Sequence, residues 1–191
     1  MPYAEKFEDA LVYAARLHRG QTRKSTGVPY VTHLLAVASI VGENGGTEDE
    51  AVAALLHDAP EDTGGETRLA EIRARYGETV AEIVAGCSDT YEDPKPPWRE
   101  RKETFIARLA GAPVPVRLVV SADKLHNARS VVADYRALGE GLWGRFNGGR
   151  DGTLWYYRAV ADALQKAGGG PVVDELDRAV AEMERLAAEC G

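Results

Sequence analysis

The densest chemistry in the sequence lies between Leu55 and Thr63, which read LLHDAPEDT. An apolar run from Ala51 to Leu56 leads directly into His57 and Asp58, and Glu61 and Asp62 follow. One imidazole and three carboxylates behind a segment that must be buried need partners. Unpaired buried charge is costly, so such groups are paired or bind metal. We read this stretch as half of a divalent-metal site for phosphate-ester hydrolysis, whose other half must come from elsewhere in the chain.

Candidates for that half are His33, which opens a helical pattern after PYVT, and Asp123, which follows the apolar VRLVVSA. Together His33, His57, Asp58 and Asp123 offer two neutral imidazoles and two carboxylates. Such a nitrogen and oxygen set suits Mn²⁺, Fe²⁺ or Zn²⁺ with positions left for water. With no thiolate in it, a closed structural zinc site is not expected. Spacing does not by itself bring the four together, and alone His57-Asp58 could equally be a capping or salt-bridging pair. Glu61 and Asp62 could orient a water and shuttle its proton, or form an acidic helix end and a following N-cap. Arg23 and Lys24, adjacent cations in a turn-rich loop, could capture a phosphate or purine or be a solvated pair. Asn127, four residues after Asp123, could hold a ligand hydroxyl or cap a backbone group. Lys124 and His126 flank that face.

The elements that must position these residues read as helices. Tyr3 to Arg19 places Phe7, Leu11, Ala14 and His18 on one face, with Gly20 as the stop. Tyr30 to Val41 and Glu48 to His57 follow. Pro60 is expected to end or kink the third helix, leaving Glu61 and Asp62 on a bend. Further helices are predicted at Glu66 to Tyr76, Glu78 to Ser88, Arg99 to Ala110 after the DPKPPW breaker, Val114 to Leu138 and Thr153 to Lys166. Residues 139–152 read as a glycine-rich loop with one short helical turn. After GGGP comes a last helix with Val173, Leu176, Val180, Met183 and Leu186 as its stripe. That stripe is expected to dock on the body, with a homodimer seam as its other use. No run alternates like a strand. The expected fold is all-α, one domain of about eight to ten helices, with residues 1–167 as its body and residues 171–191 as a docked C-terminal helix.

The chain of 191 residues carries a formal net charge of -7. Such a surface repels nucleic acid and anionic membranes, so neither is an expected partner and a phosphate ligand needs a local basic pocket. Two cysteines, Cys87 and Cys190, without a metal-type spacing, point to a reducing compartment rather than a disulfide framework. The N-terminus lacks a secretory pattern, and no apolar run approaches the roughly 18 residues of a membrane span. A cytoplasmic location is expected.

Taken together, these residues resemble the HD superfamily of metal-dependent phosphohydrolases. The family's first His, its His-Asp pair and its later Asp match His33, His57-Asp58 and Asp123. The chain is more closely similar to the RelA/SpoT-type branch and its free-standing small alarmone hydrolases. HRGQTRKSTGVPYVTHLLAVA resembles the branch's opening signature, LLHDAPEDT its His-Asp segment and ADKLHNA its second Asp segment. The resemblance covers about residues 5 to 160 and implies an all-helical fold, Mn²⁺ as cofactor and a small phosphorylated nucleotide as partner. The implied activity is removal of the 3′-pyrophosphate from guanosine tetra- or pentaphosphate, (p)ppGpp. Alternatives are phosphatase action on another nucleotide phosphomonoester such as NADPH, or a non-catalytic nucleotide-sensing metal module. By position, Glu61 and Asp62 would activate the attacking water. Arg23 and Lys24 would contact base and ribose, and Asn127 the sugar or phosphate. Lys102, Arg150 and Tyr156 would complete the pocket. The chain departs from the branch at Ser25-Thr26, at Pro60, and in the DPKPPW and FNGGRDGTLWYY stretches, which border the expected substrate side.

Overall fold

The computed structural model describes residues 3–23, 26–91 and 94–189. Their regular structure is ten α-helices and one 3-10 helix, and the β-type contact among them is an isolated bridge between Thr22 and Pro29. The all-α expectation holds.

The centre is α3 (Glu48–Leu56), surrounded by α1 (Glu5–Leu17), α2 (Val31–Glu43), α6 (Glu78–Cys87) and α8 (Val114–Leu138). Its run from Ala51 to Leu56 is fully buried, as a helix apolar on every side must be. A capping box fixes its start. The Glu50 N–H donates to Thr47 Oγ1 at 3.3 Å, and the Thr47 N–H donates to Glu50 Oε2 at 2.6 Å, so two otherwise orphaned donors are satisfied reciprocally. Ala10 and Ala14, fully buried, form the face of α1 that meets the core.

Pro60 acts differently from expectation. α3 ends at Leu56, His57 and Asp58 continue with right-handed helical dihedrals, and a second helix, α4 (Ala59–Thr63), begins with Pro60 in its first turn. There the missing N–H is no loss and the fixed φ suits the helix. Glu61 and Asp62 therefore project from a short helix, not from a bend.

Beyond α4 lie α5 (Gly65–Tyr76), α6 and α7 (Trp98–Leu109). α8, 25 residues long, spans about 37 Å and carries Asp123, Lys124, His126 and Asn127 near its middle. The glycine-rich stretch is more ordered than its composition suggests. Gly139–Arg145 forms the 3-10 helix, which buries Leu142 and Trp143, and α9 (Gly149–Lys166) starts four residues before Thr153. Trp98 lies where side chains at Gly148 or Gly152 would project, so packing outweighs the poor helix propensity of glycine there. α10 (Pro171–Glu189) packs along α8 and α9. Val173, Leu176, Val180 and Met183 are buried within the chain, so this stripe is not free to serve as a seam with a second copy.

Gly86 marks a close approach of α6 to α8: a Cβ there would stand 2.7 Å from Val116 Cγ2. Gly86→Ala would gain about 1 kcal/mol of helix propensity but incur an overpacking cost of about 1–3 kcal/mol against a stiff β-branched neighbour. A net destabilisation is expected, read as a lower urea midpoint with unchanged slope. An unchanged or higher midpoint would show that Val116 yields.

Candidate metal centre and active site

His33 enters from the first turn of α2, His57 and Asp58 from the α3–α4 junction, and Asp123 from the middle of α8. The structure brings all four together. His57 Nε2 lies 3.0 Å from Asp58 Oδ2 and 3.5 Å from Asp123 Oδ1. His33 Nε2 lies 3.2 Å from Asp123 Oδ1 and 3.5 Å from Asp58 Oδ2. Donor atoms of His33, His57 and Asp58 all lie within 4.8 Å of one another.

The surroundings fix which ring nitrogens face the cluster. His57 Nδ1–H donates to the Ala54 carbonyl at 2.8 Å, which turns Nε2 inward as an acceptor. That Nε2 is buried without a hydrogen-bond partner among the described residues. His33 Nδ1 meets His126 Nδ1 at 2.8 Å. Burial and the nearby charges of His33 and Arg23 push His126 down to about 4, so it is neutral and can accept the His33 Nδ1 proton. These are the outer contacts that orient histidine ligands. The donor set fits a divalent ion: inward-facing imidazoles and two carboxylates stand about as far apart as ligands about 2.1 Å from one centre at right angles. A divalent metal is thus the group these residues can hold.

The electrostatics agree. Burial alone would raise Asp58, but the His57 charge and the neighbouring His33 and His57 imidazoles hold it well below the usual carboxylate range. Burial also works against ionised Asp123, and Lys124 with the two imidazoles outweighs it. Lys124 Nζ donates to Asp123 Oδ2 at 2.6 Å, and Asn127 Nδ2 donates to Asp123 Oδ1 at 2.5 Å. For His57, burial disfavours the imidazolium, yet the two carboxylates raise it well above its ordinary value. Without a cation, the site holds a proton there.

A cavity of about 290 Å³ opens over the cluster, walled by Asp58, Glu61, Asp62, Tyr30, Arg23 and Asn127. Glu61 Oε1 accepts the backbone N–H of Asp89 at 2.7 Å. Burial, then the charges of Asp89 and Asp58, raise Glu61 above the ordinary glutamate range. Asp62 Oδ2 accepts from Gln21 Nε2 at 2.7 Å. Arg23 Nη2 donates to Asn127 Oδ1 at 2.8 Å, so these two candidates share one wall. Lys24 lies outside the described residues.

Lys102 and Tyr156 line a second cavity of about 190 Å³, which shares Arg145, Phe146 and Tyr157 with the first. Lys102 Nζ donates to Asp89 Oδ2 at 2.7 Å and stands 4.9 Å from the centre of the Tyr156 ring. Arg150 needs correction. Its Nη2 donates to the Ala187 carbonyl at 2.6 Å, so it ties α9 to the last turn of α10 and lines neither cavity. Arg145, at the end of the 3-10 helix, lines both. Sequence reasoning also passed over Tyr30, whose hydroxyl donates to Asp58 Oδ2 at 2.5 Å, and Asp89. Tyr30 stood in the quoted PYVTH motif, whereas nothing local distinguishes Asp89.

A family model described as HD domain matches residues 10–154. The guanosine-3′,5′-bis(diphosphate) 3′-pyrophosphohydrolase MESH1 of Danio rerio is 38% identical over 122 residues, which cover 62% of this chain and 65% of that protein. The protein of the same name from Homo sapiens is 37% identical over 131 residues, covering 67% and 70%. The matched segment thus spans about two thirds of these relatives. A solved structure of a metazoan ortholog of SpoT that hydrolyses ppGpp is similar at a TM-score of 0.78 and 28% identity, over 94% of this chain and 96% of that one.

A divalent ion added to chelator-treated protein must displace the proton on His57. Binding is therefore expected to release protons and to weaken as the pH falls. Calorimetry in buffers of different ionisation enthalpy measures the release. His57→Ala and Asp58→Ala should each abolish metal retention in elemental analysis of the folded protein. Full metal content in either variant would remove these residues from the ligand set.

Proposed function

Because the chain belongs to the HD-domain family, and within it to the RelA/SpoT-type hydrolases, we propose that it is a metal-dependent pyrophosphohydrolase that removes the 3′-diphosphate of guanosine 3′,5′-bis(diphosphate). The reaction consumes one water and yields GDP and pyrophosphate. The observation that carries this reading is the convergence of four donor side chains at a cavity that Glu61 and Asp62 also line. We take residues 1–167 as the catalytic unit, with α10 docked on it.

His33, His57, Asp58 and Asp123 would hold the ion; the mixed imidazole and carboxylate set suits Mn²⁺, Fe²⁺ or Zn²⁺, and Mn²⁺ is the one the family resemblance implies. A divalent ion held there supplies a Lewis acid for the phosphoryl oxygens and acidifies water. Glu61 takes the proton of the attacking water. Its raised pKa suits it to accept a proton near neutral pH and release it later. Asp62 stands next to it as the second proton-handling group. Arg23 and Lys24 contact the nucleoside, Arg23 being steadied by Asn127. Lys102 and Tyr156, in the adjoining cavity, receive the end of the nucleotide remote from the scissile bond. No helix among the described residues is long and apolar enough to cross a membrane. We place the enzyme in the cytoplasm.

The test is an assay of Mn²⁺-supplemented protein on guanosine tetraphosphate beside a panel of 2′-, 3′- and 5′-phosphorylated nucleotides, with products identified. GDP and pyrophosphate from the first substrate at the highest kcat/KM are expected. Preference for a panel phosphomonoester would move the substrate assignment. Glu61→Gln should keep the metal and lose about 10²–10⁴ in kcat. For the wild type, kcat/KM should fall on acidification through a pKa above the ordinary glutamate value, because the base must be ionised. Wild-type turnover by Glu61→Gln would exclude Glu61 as the base.

A further inference from the structure

We infer that His18 and Gln21 are positioning residues that set the carboxylate of Asp62, an inference that rests on the proton-handling role proposed above for Asp62. His18 follows the end of α1 and is 3% exposed. Its Nδ1 stands 2.7 Å from Gln21 Oε1, and Gln21 Nε2 donates to Asp62 Oδ2 at 2.7 Å. The chemistry of the groups orients this chain. An ionised carboxylate only accepts, so Gln21 must turn its NH₂ towards Asp62 and its carbonyl oxygen towards His18. His18 then donates from Nδ1.

Gln21 is the only side-chain donor to the Asp62 carboxylate among the described residues. Asp62 sits on a helix of five residues, too short to restrain a side chain by neighbouring turns. A displacement of about 1 Å at a group handling the reacting proton can cost about 10²-fold in rate. His18 also backs the metal side. Its ring stacks on Tyr30 with centroids 5.1 Å apart and an interplanar angle of 25°, and the Tyr30 hydroxyl donates to Asp58. The backbone holds the assembly in register: the Gln21 N–H donates to the His18 carbonyl at 3.0 Å, and the Tyr30 N–H to the Gln21 carbonyl at 2.9 Å. One buried ring therefore stands behind both Asp58 and Asp62.

The test compares Gln21→Leu, Gln21→Glu, His18→Ala and His18→Asn with wild type in metal content, melting temperature, kcat and KM. Gln21→Leu is expected to lower kcat about 10–100-fold with KM, metal content and melting temperature near wild type. Gln21→Glu is close in shape but sets a carboxylate against Asp62, so it should be at least as damaging. A packing role would leave it nearly silent. His18→Asn, whose amide nitrogen can stand near the Nδ1 position, should recover more turnover than His18→Ala. Wild-type kcat in Gln21→Leu, or a loss that follows metal loss, would overturn the inference. If wild-type protein hydrolysed no nucleotide, the functional reading would fail by itself. A crystal structure of Gln21→Leu would then decide the positioning claim: a displaced Asp62 carboxylate upholds it, an unmoved one refutes it.

Discussion

Asp123, buried, and Asp58, half-buried, present carboxylates to His33 and His57 across 3.0–3.5 Å. Withdrawing each such ion from water costs several kcal/mol even after the protein relaxes, and two inward-facing acceptor nitrogens add no compensation. A positive charge must sit among them, either a proton on His57 or a divalent ion. The rest of the site limits how far this demand spreads. Lys124 neutralises the outer oxygen of Asp123, Tyr30 donates to Asp58, and the Ala54 carbonyl and His126 occupy the outer nitrogens of the two ligand rings. Of the atoms that face one another, His57 Nε2 is buried without a hydrogen-bond partner among the described residues. The fully buried α3 makes this possible, because it delivers His57 to the protein interior at the point where its own hydrogen-bond ladder stops.

The same fold gives neighbouring carboxylates opposite tendencies. Asp58 and Asp123 sit beside cations and donors and are held ionised. Glu61, one helical turn from Asp58, has a single backbone donor and two like charges nearby, and is pushed upward. Carboxylates whose environments drive their pKa values apart are suited to a division of roles. α4 creates that division. By starting a new helix at Ala59 instead of continuing α3, the chain turns Glu61 out of the ligand cluster and against the cavity wall, with Pro60 fixing the first turn.

How much of this could be read beforehand depended on whether the signal was local. The LLHD run, the apolar lead into Asp123 and the bounds of α8 were legible because burial and helical period are written into consecutive residues. The α9 start was not, because Gly148 to Gly152 become helical only through Trp98, which lies some fifty residues earlier in the chain. Arg150 was misassigned for a related reason. Its partner is a carbonyl at the end of α10, and spacing carries no information about which distant group a long side chain will reach. His18 looked like one more position on an amphipathic face. Its contacts with Gln21 and Tyr30 arise beside the bridge that pairs Thr22 with Pro29.

An acidic protein that binds a polyanionic nucleotide must overcome its own net charge of -7. Screening reduces that problem, since charges more than about 8 Å away count for little at physiological ionic strength. What matters is the balance at the cavities. Arg23 is tied to Asn127, a neutral partner, so its full charge faces the cavity. Lys102 is tied to Asp89, but Arg101 binds the same carboxylate oxygen at 2.6 Å, and the three groups together retain one net positive charge. Arg145 lines both cavities where they join. The first cavity also carries the carboxylates of Asp58, Glu61, Asp62 and Asp134, so these bonded cations act as local counter-charges beside them. Such clusters keep their geometry before a ligand arrives, which reduces the ordering cost of capturing one.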